Sequence, residues 1–136
     1  MMPRRLVLGT FTLVLLALMV AGCSLTGESI RTRIEKFISA VNDSDLEAIK
    51  DSLDPAASAY NTASTVIFWN AYFPQRPYRI SNYYESGDTA TVHFKGADDS
   101  ELIYVFEMTE QRGTLLEGKS YKIRRVANTS GAVIFE

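Results

Sequence analysis

The spacing of apolar positions changes three times along the chain. Leu6 to Val20 is a nearly unbroken apolar run of 15 residues, preceded by Arg4 and Arg5. Ile30, Ile34, Phe37, Ile38 and Val41 then recur at helical spacing, with Arg31, Arg33, Glu35 and Lys36 mostly on the other face. That predicts a helix over 29–41 with Ser29 as its N-cap. Asn42-Asp43-Ser44 breaks the pattern. Ser44, with Glu47 three residues on, reads as a capping box for a second helix over 45–53. Leu46, Ile49 and Leu53 give that helix its apolar stripe, and Asp54-Pro55 ends it. Ala56 to Phe73 mixes helical spacing with the β-branched run Thr65-Val66-Ile67. The reading favours a helix from about Ser64 to Tyr72, stopped by Pro74.

From Tyr78 the period becomes two. Tyr78 to Glu85 predicts a strand, and Ser86-Gly87-Asp88 a hairpin turn. Thr89 to Lys95 returns, with Ala90, Val92 and Phe94 on one face and Thr91, His93 and Lys95 on the other. Gly96 to Ser100 turns the chain again. Glu101 to Gln111 is a long strand whose Leu102, Tyr104, Phe106 and Met108 share a face. Arg112-Gly113 is the next turn, Tyr121 to Ala127 the fourth strand, and Ala132 to Phe135 a short fifth. Helices first and antiparallel strands after make an α+β domain rather than an alternating one.

The first apolar run is short of the ~20 residues that span a bilayer; as a helix it reaches about 22 Å against ~30 Å of hydrocarbon. Its length suits the core of a signal peptide. It ends in Val20-Ala21-Gly22-Cys23, and Cys23 is the only cysteine of the chain. This stretch resembles the lipobox of a bacterial lipoprotein. The resemblance implies that residues 1–22 are a cleaved signal peptide and that Cys23 carries a thioether-linked diacylglycerol, often with an N-acyl chain. It places the protein in the bacterial cell envelope, facing the periplasm or exposed at the surface. Ser24 after the cysteine favours the outer membrane over the inner, by similarity to enterobacterial sorting. An uncleaved anchor helix is the lesser alternative. Residues 23–28 are then the lipidated cysteine and a tether of at most ~18 Å, and 29–136 the domain.

The order of elements is similar to the NTF2-like, cystatin-like superfamily, in which N-terminal helices pack in the concave face of a curved antiparallel sheet of four to five strands. Phe37 to Ile49 resembles the helix–turn–helix opening of that superfamily. Trp69, Tyr72-Phe73-Pro74 and Ser86 to Ala90 resemble small bacterial lipoproteins of the same type. The resemblance implies a cone with a pocket between helices and sheet, and some members are isomerases or cyclases that use an Asp or His base with a Tyr donor. Trp69, Tyr72, Phe73, Tyr78 and His93 are the candidate pocket residues. Aromatics at helical spacing are more often core than ligand contacts. Asp88 falls in an exposed turn, and His93 shares its face with Thr91 and Lys95, so neither has the enclosed setting that tunes a catalytic base. No catalytic residue is assigned.

Composition narrows the choice further. Removing 22 of the 136 residues takes two arginines and no acids, leaving 12 basic and 16 acidic side chains, a formal charge near −4. That argues against a nucleic-acid partner and against adhesion to anionic headgroups, so attachment to the membrane is expected through the lipid. A lone cysteine allows no disulfide within the chain. Asp98-Asp99-Ser100-Glu101 lacks the alternating oxygen ligands of a calcium loop, and no metal or cofactor is expected. Lys119, Lys122, Arg124 and Arg125 read as a solvated edge with acidic partners. Tyr83 and Tyr84, adjacent in a strand, must face opposite ways, which puts one outside the core. The sequons at Asn42 and Asn128 are read as chance matches. The function expected is a lipid-anchored, non-catalytic binding module whose partner is a small apolar ligand or an envelope protein. The alternatives are an isomerase-like or hydrolase-like enzyme and a structural component pairing through a sheet face.

Overall fold

The structure is a computed structural model, and it describes residues 27–136. Val20, Ala21, Gly22 and Cys23, read above as resembling a lipobox, lie outside the described residues. Among the described residues four helices precede one open, five-stranded antiparallel sheet, so the domain is α+β. The helices are α1 (Ile30–Asp43), α2 (Leu46–Ser52), α3 (Tyr60–Ala63) and α4 (Val66–Tyr72). The strands are β1 (Arg79–Ser86), β2 (Thr89–Lys95), β3 (Glu101–Arg112), β4 (Lys119–Asn128) and β5 (Val133–Phe135), and they lie side by side in chain order. Among the described residues no helix is long and apolar enough to cross a membrane.

Ser29 caps α1 as expected, its hydroxyl accepting from Thr32 N. The capping box is a correction. Ser44 stands at the end of α1 in the left-handed region (φ 53°), where its backbone N–H satisfies the last carbonyls of α1. The α2 cap is Asp45, whose carboxylate accepts from Ala48 N. The two helices abut so closely that one residue ends the first while the next starts the second. Thr65 caps α4, and the helix ends at Tyr72 before Pro74. The single turn α3 has no apolar stripe of its own and was not legible in the spacing.

The strand alternation holds: Ala90, Val92, Phe94, Tyr104, Phe106 and Met108 are buried on the face that packs against the helices. A bulge opposite Glu107/Met108 pushes Arg124 out of the β4 register, so Lys122 and Arg124 do not continue one simple alternation. The turn read at Arg112-Gly113 is a longer loop, Gly113 to Gly118, because β3 runs on to Arg112.

Aromatic rings knit the centre of the core together. Phe37 of α1 meets Trp69 of α4 edge-on at 4.9 Å and Phe106 of β3 at 6.0 Å. Phe73 lies edge-on to Tyr78, Phe94 and Tyr104 at 5.3–5.4 Å. Such edge-to-face pairs add to the area they bury. α1 is also tied to the start of β1: Asn42 Nδ2 donates to Tyr78 O and Asn42 Oδ1 accepts from Tyr78 N, each at 2.8 Å.

Candidate functional site

Four of the five candidate pocket residues, Trp69, Tyr72, Phe73 and Tyr78, come together, and His93 stands apart. Trp69 and Phe73 are fully buried, and Tyr78 is nearly so. The Trp69 indole N–H donates to Ala63 O, which closes the polar end of an otherwise apolar side chain. Tyr72 is half-buried, its ring tilted against Phe68 at 5.0 Å, with its carbonyl accepting from Tyr104 OH at 2.7 Å. The Tyr78 hydroxyl accepts from Gln75 N at 3.0 Å. These aromatics fill the space between helices and sheet with side chains. His93 is the correction: alternation along β2 puts it on the opposite face from Val92 and Phe94, away from the four aromatics. There its Nδ1 lies 3.3 Å from Glu101 Oε1, and its ring lies 6.1 Å from that of Tyr84.

Two phenols in the helix–sheet layer are held neutral. Burial, with the neighbouring Tyr78 and Tyr72, pushes the Tyr104 hydroxyl up to about 12. Burial and then the hydrogen bond to Glu85 at 2.6 Å raise Tyr83 beyond the usual tyrosine range. Both hydroxyls act as donors to a fixed acceptor, and neither is poised to lose its proton near neutral pH.

The concave spaces lie elsewhere. A shallow groove of about 430 Å³ runs between α1 and α2, lined by Arg33, Lys36, Ser39, Asp43, Asp45 and Asp51 among others. Its floor is an ion cluster. The buried Arg33 guanidinium grips Glu28 through both oxygens at 3.0 Å and reaches Asp51 at 3.1 Å. Glu28 also accepts from Tyr121 N at 3.0 Å. The groove's cation is therefore already neutralised, and the cluster ties the entering chain to α1, α2 and β4. Burial raises the Asp51 carboxyl, but hydrogen bonds from Lys122 and Arg33 outweigh it and hold the group below its ordinary value. Lys119, Lys122 and Arg125 each have an acidic partner, as the sequence suggests. Among the described residues no group of three or more His, Cys, Asp or Glu could hold a metal.

The outer face of the sheet carries the remaining feature. Tyr84, Thr91, Val105, Ala127 and Val133 are paired neighbours on β1 through β5, one row running across all five strands. Tyr84 and Val133 at its ends are exposed, 60% and 47%. His93 and Ile103, paired with Asn82, form the next row. Sequence reasoning reached Tyr84 through the Tyr83-Tyr84 alternation. It missed the row, because a row exists only once the register is set. Comparison with known proteins gives no match: no family model, no curated protein and no solved structure is significantly similar to this chain.

Proposed function

We propose that the chain is a lipid-anchored lipoprotein of the bacterial cell envelope, facing the periplasm or exposed at the surface, with the outer membrane favoured over the inner. Its domain, in this reading, is a non-catalytic binding module with the NTF2-like or cystatin-like arrangement of helices on one face of a curved sheet. The anchor rests on Arg4-Arg5, the apolar run and Val20-Ala21-Gly22-Cys23. The arrangement is supported by the order of elements, helices first and a meander of five strands after.

The observation that carries the binding reading is the row Tyr84–Thr91–Val105–Ala127–Val133 on the sheet face away from the helices. Half-buried Thr91 and Val105, with Tyr84 and Val133 exposed at the ends of the row and Ala127 buried between them, make a weakly polar surface of the kind that other proteins cover. The interior supports this choice of surface, since the aromatics that would line a pocket are packed against one another. An envelope protein, more than a small apolar ligand, suits a row of this kind. Neither a cofactor nor a metal enters the reading.

Two experiments test it. Mass spectrometry of the mature protein is expected to find an acylated N-terminal Cys23, and Cys23→Ala to leave the precursor uncleaved; an intact chain with a free Cys23 overturns the anchor. A photoreactive residue at position 84 is expected to give one discrete adduct in cells, lost on Val105→Asp. An adduct unaffected by that change, or none, overturns the binding face.

A further inference from the structure

The β3–β4 hairpin overhangs the sheet. β2 ends its pairing with β3 at Thr89↔Glu107, yet β3 continues to Arg112 and pairs with β4 down to Arg112↔Lys119. Five residues of β3 thus project beyond β2, about 16 Å at strand rise. The loop at the tip is closed by backbone bonds: Gly113 N to Gly118 O, and Glu117 N and Gly118 N to Thr114 O, each 3.0 Å. On this closed tip stand Leu115 and Leu116, exposed to 91% and 81%. Isolated exposed leucines are ordinary, but two side by side at the end of an ordered arm are not accounted for by the core.

The entering chain docks at the outer end of the same arm, beside the tip loop. Glu28 N donates to Lys119 O at 2.8 Å. Gly27 lies so close that a Cβ there would stand 2.6 Å from Lys119 O. Only three residues separate Gly27 from Cys23. Four Cα steps span at most ~14 Å, and the three steps from Lys119 to Leu116 at most ~11 Å. A lipid on Cys23 and the two leucines therefore reach one plane. The opposite end of the domain holds the β2–β3 turn, where Gly96 and Ala97 meet Gln75.

We infer that the Leu115-Leu116 tip is a second membrane contact, immersed in the bilayer beside the lipid on Cys23, so that the domain stands on its β3–β4 hairpin. This rests on the lipid-anchor reading. The leucines enter the headgroup–acyl boundary, which interfacial segments penetrate by roughly 5–10 Å. Two leucines alone hold a protein weakly, and the covalent lipid supplies the local concentration that keeps the tip immersed. The charges at the arm's end balance, Glu110 lying 3.8 Å from Lys119 and 4.0 Å from Arg112 with Glu117 beside them, and Lys122 further back is paired with Asp51. Immersion is therefore apolar and indifferent to lipid charge. It points α1, α2 and the outer sheet face sideways along the membrane, with the β2–β3 turn away from it.

The test uses the full-length chain, processed in cells and reconstituted in phosphatidylcholine vesicles that carry nitroxides on their acyl chains. A fluorophore is attached through Thr114→Cys or, as the distal control, Ala97→Cys. Quenching is expected at position 114 and not at 97. The pair Leu115→Ser and Leu116→Ser is expected to abolish quenching at 114. Replacing part of the phosphatidylcholine with phosphatidylglycerol is expected to change nothing. An acylated Cys23 with equal quenching at 114 and 97 overturns the hairpin contact and leaves the anchor standing. The same result with a photocrosslink from position 116 into a protein assigns the tip to a protein partner instead. A Cys23 without acyl chains overturns both readings.

Discussion

Asn42 joins two elements that are far apart in sequence. Its side-chain amide satisfies the backbone N–H and C=O of Tyr78, just after the cis Arg76–Pro77 bond, and so fixes where the sheet starts relative to α1. The Asn42→Ala change leaves two half-buried backbone groups without partners. The expected loss is about 2–3 kcal/mol of unfolding free energy in urea, against a change within ~0.5 kcal/mol for the exposed neighbour Asp43→Ala. The same bonds occupy the amide that a glycan would need, in accord with reading the sequon as chance. Asp51 acts through charge. Its carboxyl is held below the ordinary value in the folded state, so its contribution is fully present above about pH 4 and is lost as pH falls through the folded value. Asp51→Asn is therefore expected to lower stability at pH 7 and to flatten the fall below about pH 4. The measurement is the urea midpoint as a function of pH. The effect is small, since Asp51 is two-thirds exposed and solvent screens it.

The junction of α1 and α2 divides roles between two adjacent residues. Asp45 is the acceptor for α2, and Ser44 is the left-handed residue that ends α1. Asp45→Ala is expected to cost about 1 kcal/mol, the usual worth of an N-cap. Ser44→Gly is expected to be neutral or to stabilise by up to about 1 kcal/mol, because glycine enters the left-handed region without a Cβ penalty. Thermal unfolding of the two variants separates the assignments: a destabilised Ser44→Gly with an unaffected Asp45→Ala restores the capping box. The strands show the same division between local and distant causes. β2 and β3 follow from alternation alone, whereas the bulge that displaces Arg124 is seen only in the β3–β4 register, next to Ile123, which also bridges to Leu53.

Among the described residues, one face of the sheet is closed by aromatics and no helix covers the other. Trp69 touches Phe37, Phe73 and Phe135, and so links α1, α4 and β5 through one side chain. Trp69→Ala is expected to cost about 3–5 kcal/mol and to lower the thermal midpoint accordingly, since it opens a large cavity and frees the Ala63 carbonyl. Tyr84→Ala on the open face is expected to change stability by no more than ~0.5 kcal/mol. If that substitution also removes a binding partner, its effect belongs to recognition and not to folding. The two substitutions, scored together for stability and for crosslinking, separate a face that holds the fold from a face that meets something else.

Periodicity and local chemistry were enough to read α1, α4 and the alternation of β2 and β3. Each depends on neighbours within a few residues: an apolar repeat, a cap, a β-branched run, a Gly-containing turn. The α+β class followed from their order. The lipobox reading of Val20 to Cys23, on which the proposed anchor rests, likewise uses only neighbouring residues in the sequence. Tertiary structure alone decided the rest. It separated His93 from Trp69, Phe73 and Tyr78, because the sheet has only two faces and the helices cover one. It buried Arg33 between Glu28, five residues before it, and Asp51 of the next helix, and bound Glu28 to Tyr121 N of β4. It also aligned Tyr84, Thr91, Val105, Ala127 and Val133 into a row, and set Leu115 and Leu116 at the end where the chain enters. No local pattern encodes those juxtapositions, since each depends on which strands pair, in what register, and which end of the sheet receives the first helix.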